Sequence, residues 1–115
     1  MSKILIIDDD DGLRQIYARY LSAEGHEILE AHTVEKALEF RNECPDIVLL
    51  DIQLQEDGAQ GLMAVLREAC PQAKVIIFSC FDIHFQKRTI ANADEYFNKT
   101  EGCRALSQKI KTVLA

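Results

Sequence analysis

At 115 residues the chain has room for one domain with a substantial core, but not for a second. Nearly half of it is apolar and 28% is charged, an ordinary globular balance. The formal net charge of -6 leaves no basic stripe to meet nucleic acid or an anionic membrane surface.

The first element is the strand-like run Lys3 to Ile7, which ends in the acidic series Asp8-Asp9-Asp10-Asp11. Leu13, Ile16, Tyr17, Tyr20 and Leu21 then repeat at helical spacing, and Gly25 closes that helix. A short second strand is expected from His26 to Ala31. Thr33 reads as a helix N-cap with an incomplete capping box, because Lys36 and not an acid stands three residues on. Val34, Ala37 and Leu38 give this second helix its apolar face, and Pro45 is expected to stop it.

Asp46 opens a third strand, Ile47 to Leu50, which ends in Asp51. From Gly61 onward Leu62, Val65, Leu66 and Ala69 form another amphipathic helix, ended by Cys70-Pro71. The fourth strand runs from Lys74 and ends in Ser79. Between Asp82 and Asn92 the apolar residues Ile83, Phe85 and Ile90 keep no clean period, the pattern of a partly exposed helix. A last strand, Glu95 to Asn98, ends in Lys99, and Leu106, Ile110, Val113 and Leu114 form the buried stripe of a closing helix.

Strands and helices alternating in this way predict an α/β fold: one doubly wound, five-stranded parallel sheet of flavodoxin-like order 2-1-3-4-5, with five helices. Such sheets bind ligands beyond the carboxyl ends of their strands, where the strand order switches. In this order the switch lies between strands 1 and 3, which carry Asp8, Asp9 and Asp51.

Taken singly, these residues have ordinary explanations. Acidic residues before a helix complement its dipole, Asp51 could open a turn, and Ser79 and Lys99 could be solvated. Gathered at the ends of four strands they describe a phosphate and metal site. Several carboxylates at one locus stay ionised only with a compensating cation, and Mg²⁺ fits because it takes a few carboxylate oxygens and still admits a phosphoryl oxygen. Lys99 would neutralise a second phosphoryl oxygen and Ser79 would donate to a third. Asp51 is then the nucleophile, forming an acyl phosphate by alignment and charge neutralisation. Asp10 and Asp11 read as helix caps.

The four cysteines, Cys44, Cys70, Cys80 and Cys103, contain no C-x-x-C pair, and with no secretory leader reduced thiols in small core or surface positions are expected. His26, His32 and His84 lack metal-ligand spacing and read as surface or loop residues. No apolar run approaches the roughly 18 residues of a membrane helix, so a cytoplasmic location is the expectation.

The segments Ile4 to Asp10 with Arg14, Leu21 to Gly25, Asp46 to Ile52 and Ala93 to Lys99 resemble the receiver domains of two-component response regulators, of the chemotaxis-receiver kind, over nearly the whole chain. The resemblance implies that residues 1–115 are one receiver domain with no effector domain. It makes Asp51 the phospho-acceptor, Asp8 and Asp9 the acidic pair that organises Mg²⁺, Ser79 the switch hydroxyl and Tyr96 the aromatic that turns inward on activation. Phe81 and Gln53 take positions that influence water access to the phosphoryl group, although Phe81 could equally pack on the fourth helix. A histidine kinase or phosphotransfer protein would be the donor. The output contact would be the fourth helix, fifth strand and fifth helix.

The chain departs from the pattern at four points. Gln55 replaces a usual proline, Gly58 falls one position early, Thr100 replaces the proline after the lysine, and Asn92 stands where glycine is common. An irregular loop from Gln53 to Gln60 and a trans peptide at Thr100 follow as expectations, a non-proline cis bond costing about 3 kcal/mol. The expected protein is a phosphorylation-dependent switch that catalyses only its own phosphoryl transfer and dephosphorylation. A pseudo-receiver that is never phosphorylated lacks support because every reacting group is present. A phosphatase of the haloacid dehalogenase type would want an aspartate where Gln53 stands, and a cap domain for which the chain is too short.

Overall fold

The computed structural model of the protein describes residues 2–51 and 59–115. Five parallel strands, β1 (Lys3–Ile7), β2 (Glu27–Ala31), β3 (Ile47–Leu50), β4 (Lys74–Ser79) and β5 (Glu95–Asn98), form one sheet in the order β2-β1-β3-β4-β5. Five helices cover it: α1 (Asp11–Ala23), α2 (Val34–Leu38), α3 (Ala59–Ala69), α4 (Ile83–Thr89) and α5 (Gly102–Leu114). Among the described residues no helix is long and apolar enough to cross a membrane.

The central strands are uninterrupted apolar runs because both faces of a parallel sheet are covered. Alternate side chains build two cores. Leu5, Ile7, Val48, Leu50, Val75 and Ile77 pack with Ala37, Met63 and Leu66 on one face. Ile4, Ile6, Ile47, Leu49, Ile76 and Phe78 pack with Tyr17, Leu21, Leu106 and Ile110 on the other. The register places Ile7 beside Leu50, so the residues that follow them leave the sheet together. Asp8 N–H donates to the Ala31 carbonyl and Asp51 N–H to that of Ile7, both at 3.0 Å, which extends the ladders by one step.

Asp10 caps α1 by accepting from the Leu13 amide, Asp11 pairs with Arg14 across the first turn, and Thr33 caps α2 by accepting from Lys36 N–H. Gly25, at φ 97°, turns the chain out of α1 in the left-handed region that favours glycine. Asn92 has φ 68°, the conformation its glycine-like position implies, and no cis peptide occurs among the described residues.

Several elements differ from the sequence reading. Helix α2 ends at Leu38, well before Pro45, and a 3-10 turn at Arg41–Glu43 follows. Helix α3 begins at Ala59, two residues before Gly61, and takes in the last two residues of the expected irregular loop. Gln53, Gln55, Gly58 and the side chain of Leu62 lie outside what the structure describes. Ile16 and Val65 point outward, 54% and 41% exposed, while Ala18 and Met63 take the inward places. Each of these helices carries more apolar residues than its contact stripe is wide. Leu114 likewise lies at the exposed margin of α5.

The outward position of Ile16 has a measurable consequence. Ile16→Ser is expected to leave unfolding free energy within about 0.5 kcal/mol of the parent, whereas Leu21→Ala costs about 2–5 kcal/mol through the cavity it opens. Urea unfolding of both variants checks the contrast; equal losses would place Ile16 in the core.

Candidate functional site

The strand ends bring Asp8, Asp9, Asp51 and Lys99 together, with Ser79 at the end of β4. Asp8, Asp51 and Ser79 are fully or almost fully buried, Asp9 is exposed, and the Lys99 side chain is 4% exposed. Lys99 opens a 3-10 turn after β5, capped by Asn98, whose side chain accepts from Thr100 N–H. From there its ammonium reaches back over the sheet to Asp8 Oδ2 at 2.8 Å and Asp51 Oδ2 at 3.0 Å. It also stands 4.7 Å from the centre of the buried Phe78 ring, an attractive cation–π position. Tyr17 meets the same ring edge-on at 5.5 Å, and its hydroxyl donates to the Lys99 carbonyl at 3.4 Å.

Burial alone would lower the pKa of the ammonium. The hydrogen bond to Asp8 and the charge of Asp51 outweigh it, so the value lies above the ordinary 10.5. The stabilisation from this pairing is therefore full below the ordinary lysine value and is lost only as the pH rises through the higher folded one. At neutral pH Lys99 is charged.

Asp8 is held on every side. Its Oδ1 accepts from Asp10 N–H at 2.9 Å, its Oδ2 from Lys99, and its carbonyl from Arg14 at 2.7 Å. Arg14 in turn pairs with Asp11 and Glu30, fixing α1 and β2 around the same strand end. Asp9 projects into the open, and Asp8, Asp9 and Asp51 each offer a carboxylate oxygen within 4.8 Å of the others. Three carboxylates facing one ammonium leave a surplus of two negative charges. That donor set suits a hard divalent cation such as Mg²⁺.

Ser79 is buried, and its Oγ accepts from Phe81 N–H at 3.1 Å. Tyr96, expected to turn inward on activation, is already packed inward with no phosphoryl group present, its hydroxyl donating to the Ile90 carbonyl at 2.8 Å and accepting from Ala93 N–H, while Lys87 stands over its ring. Phe81 meets Phe85 of α4 at a tilt, ring centres 4.6 Å apart, so it packs on the fourth helix.

Two groups near this end of the sheet escaped the sequence reading. Phe78 was visible only as a strand residue. Gln86, the buried residue of α4, donates to the carbonyls of Phe81 and Phe97. The irregular α4 pattern marks this helix as unusual without identifying Gln86. The histidines are half-buried or exposed and join no acidic cluster among the described residues. All four cysteines are free thiols.

The chain matches the family model of the response regulator receiver domain over residues 4–111. It is 28% identical to the transcriptional regulatory protein CpxR of Escherichia coli K12, an alignment covering 99% of this chain and 50% of that protein. The chain spans about half the length of the curated relatives it matches first. Among solved structures it is similar to a CheY-like receiver domain protein from Methanospirillum hungatei, with 28% identity, a TM-score of 0.83, and 97% and 92% of the two chains covered. It is also similar to the response regulator protein TrrA of Thermotoga maritima, solved in complex with Mg²⁺ and BeF, with 29% identity, a TM-score of 0.80, and 98% and 99% coverage. Matched along nearly its whole length in sequence and in fold, the chain belongs to the receiver domains of response regulators.

Proposed function

We propose that the protein accepts a phosphoryl group on Asp51 from a histidine kinase or phosphotransfer protein and answers by altering a protein contact surface. The observation that carries this reading is the Lys99 ammonium bridging Asp8 and Asp51 beside the exposed Asp9. A carboxylate oxygen of Asp51 attacks phosphorus, the bond to the donor breaks in line, and an acyl phosphate forms. Lys99 then exchanges its contact with Asp51 for a phosphoryl oxygen. Asp9 and Asp51 would hold Mg²⁺, and Asp8, with both oxygens already engaged, would act on it less directly. When bound, the ion neutralises negative charge on the phosphoryl oxygens and on the carboxylates.

The added charge draws the Ser79 hydroxyl toward the phosphoryl group, and the change passes to Tyr96 and the surface of α4, β5 and α5. The protein is in this reading a cytoplasmic switch whose receiver domain acts on no substrate beyond its own phosphoryl group. CpxR is named as a transcriptional regulatory protein; for this chain the proposed output partner is a protein that reads that surface.

Intact mass after incubation with acetyl phosphate and Mg²⁺ is expected to show the gain of one phosphoryl group in the parent and none in Asp51→Asn, whose amide cannot attack phosphorus and whose fold is retained. A parent that gains nothing from acetyl phosphate or from a competent histidine kinase is a pseudo-receiver.

Mg²⁺ titration separates the acidic pair. Asp9→Ala is expected to weaken the ion by about tenfold, and by more than Asp8→Ala does. Undiminished affinity in Asp9→Ala would remove that residue from the ligand set. Lys99→Ala leaves two buried carboxylates uncompensated, so unfolding free energy should fall by about 3–5 kcal/mol without Mg²⁺ and recover in part with it. Melts with and without the ion test this, and a loss that Mg²⁺ does not reduce would separate Lys99 from the metal-binding carboxylates.

A further inference from the structure

Gln86 is the buried residue of α4, and its side chain does something packing does not require. Its Nε2 donates to the Phe81 carbonyl in the β4–α4 connection at 2.8 Å and to the Phe97 carbonyl on edge strand β5 at 2.9 Å. Asn98 Nδ2 adds a longer bond, 3.3 Å, to the same Phe81 carbonyl. The Phe81 N–H meanwhile donates to Ser79 Oγ. The residue two places beyond the switch hydroxyl is thus tied at both ends, to Ser79 through its amide and to β5 through its carbonyl.

The tie has a cost. Among the described residues Gln86 Oε1 is buried with no hydrogen-bond partner, and a buried unpaired acceptor is destabilising. An unbranched apolar side chain of similar length would fill the space without that penalty and with no loss of helix propensity. What glutamine supplies here is the pair of donors that joins the connection to the strand. Helix α4 spans only Ile83–Thr89 and packs on the core through partly buried Ile83, with Gln86 its one fully buried residue, so polar ties add to a narrow apolar contact. Ile90, just past its end, is buried, and its carbonyl accepts from Tyr96.

We infer that Gln86 is a positioning residue: it holds Ser79 to Phe81 in the arrangement described above and thereby sets how readily the protein adopts the phosphoryl-bound arrangement. The inference rests on the phosphoacceptor reading of the site. Moving Ser79 Oγ toward a phosphoryl group on Asp51 strains or breaks its bond from Phe81 N–H, and the Phe81 peptide swings only by giving up its bond from Gln86. Each bond therefore favours the unphosphorylated arrangement and lowers apparent affinity for any ligand that needs the other.

Gln86→Met keeps length and removes both donors. Two measurements decide its effect: amide hydrogen exchange at Phe81 without ligand, and affinity for beryllium fluoride, a phosphoryl stand-in, in saturating Mg²⁺. The expected result is faster exchange at Phe81 and beryllium fluoride binding tighter, each by about tenfold, with Mg²⁺ affinity alone unchanged. Unchanged exchange and affinity, or weaker binding with a lowered melting temperature, would make Gln86 a packing residue and overturn the inference. Should Gln86→Met not fold, Gln86→Leu, which also lacks the donors and buries no charge, is judged by the same two outcomes. A parent that takes no beryllium fluoride defeats the phosphoacceptor reading, while the exchange comparison still decides the tie.

Discussion

Two carboxylates buried side by side at the centre of a parallel sheet are tolerable only because a lysine from the sheet's edge is buried with them. Taking one such charge out of water costs several kcal/mol, and Asp8 and Asp51 also repel each other. Lys99 offsets both penalties by reaching each carboxylate at hydrogen-bond distance and resting on the Phe78 ring. The strand order follows from the same requirement: β1 and β3 must be neighbours for the acids to meet, and β5 must end level with them for the lysine to arrive. The Asp8 and Asp51 amides, bonded into the ladders, leave little freedom in where the carboxylates stand. The result is a rigid floor with the exposed acid Asp9 at its rim.

The rim is built differently from the floor. Helices α1 and α5 hold the sheet through buried Tyr17, Leu21, Leu106 and Ile110, and Ser107 of α5 donates to Glu24 at the end of α1. Helix α4 is tied by Gln86 and, just past its end, by the Tyr96 hydroxyl. A net hydrogen bond contributes about 1 kcal/mol, against the several lost when a buried leucine is truncated. Polar ties also break one at a time, whereas an apolar stripe lets go only as a whole. The segment nearest Ser79 is therefore the part of the fold best suited to local rearrangement.

The strands were legible because a chain buried on both sides writes itself as continuous apolar runs, and the strand-end acids were legible because nothing in a core asks for them. Asn92 could be placed through its glycine-like position, and its left-handed φ agrees. The errors have physical causes. Ile16 and Val65 fall at helical spacing yet face outward, because periodicity shows that a stripe exists without showing its width. Helix α2 ends at Leu38 because Phe40 and the 3-10 turn after it bend the chain well before Pro45. Gln86 was invisible because the need it meets belongs to two carbonyls distant in sequence, Phe81 and Phe97.

The two outermost strands bear on how such a protein survives its own motion. β2 carries Glu27 and Glu30 exposed on a five-residue edge, with Glu30 pinned by Arg14. β5 is four residues long and starts at Glu95, with Lys109 nearby. Short strands bearing charge make poor templates for another molecule's backbone. If α4 lifts from β5, the uncovered margin is brief and guarded, so the sheet can loosen on that side without seeding aggregation.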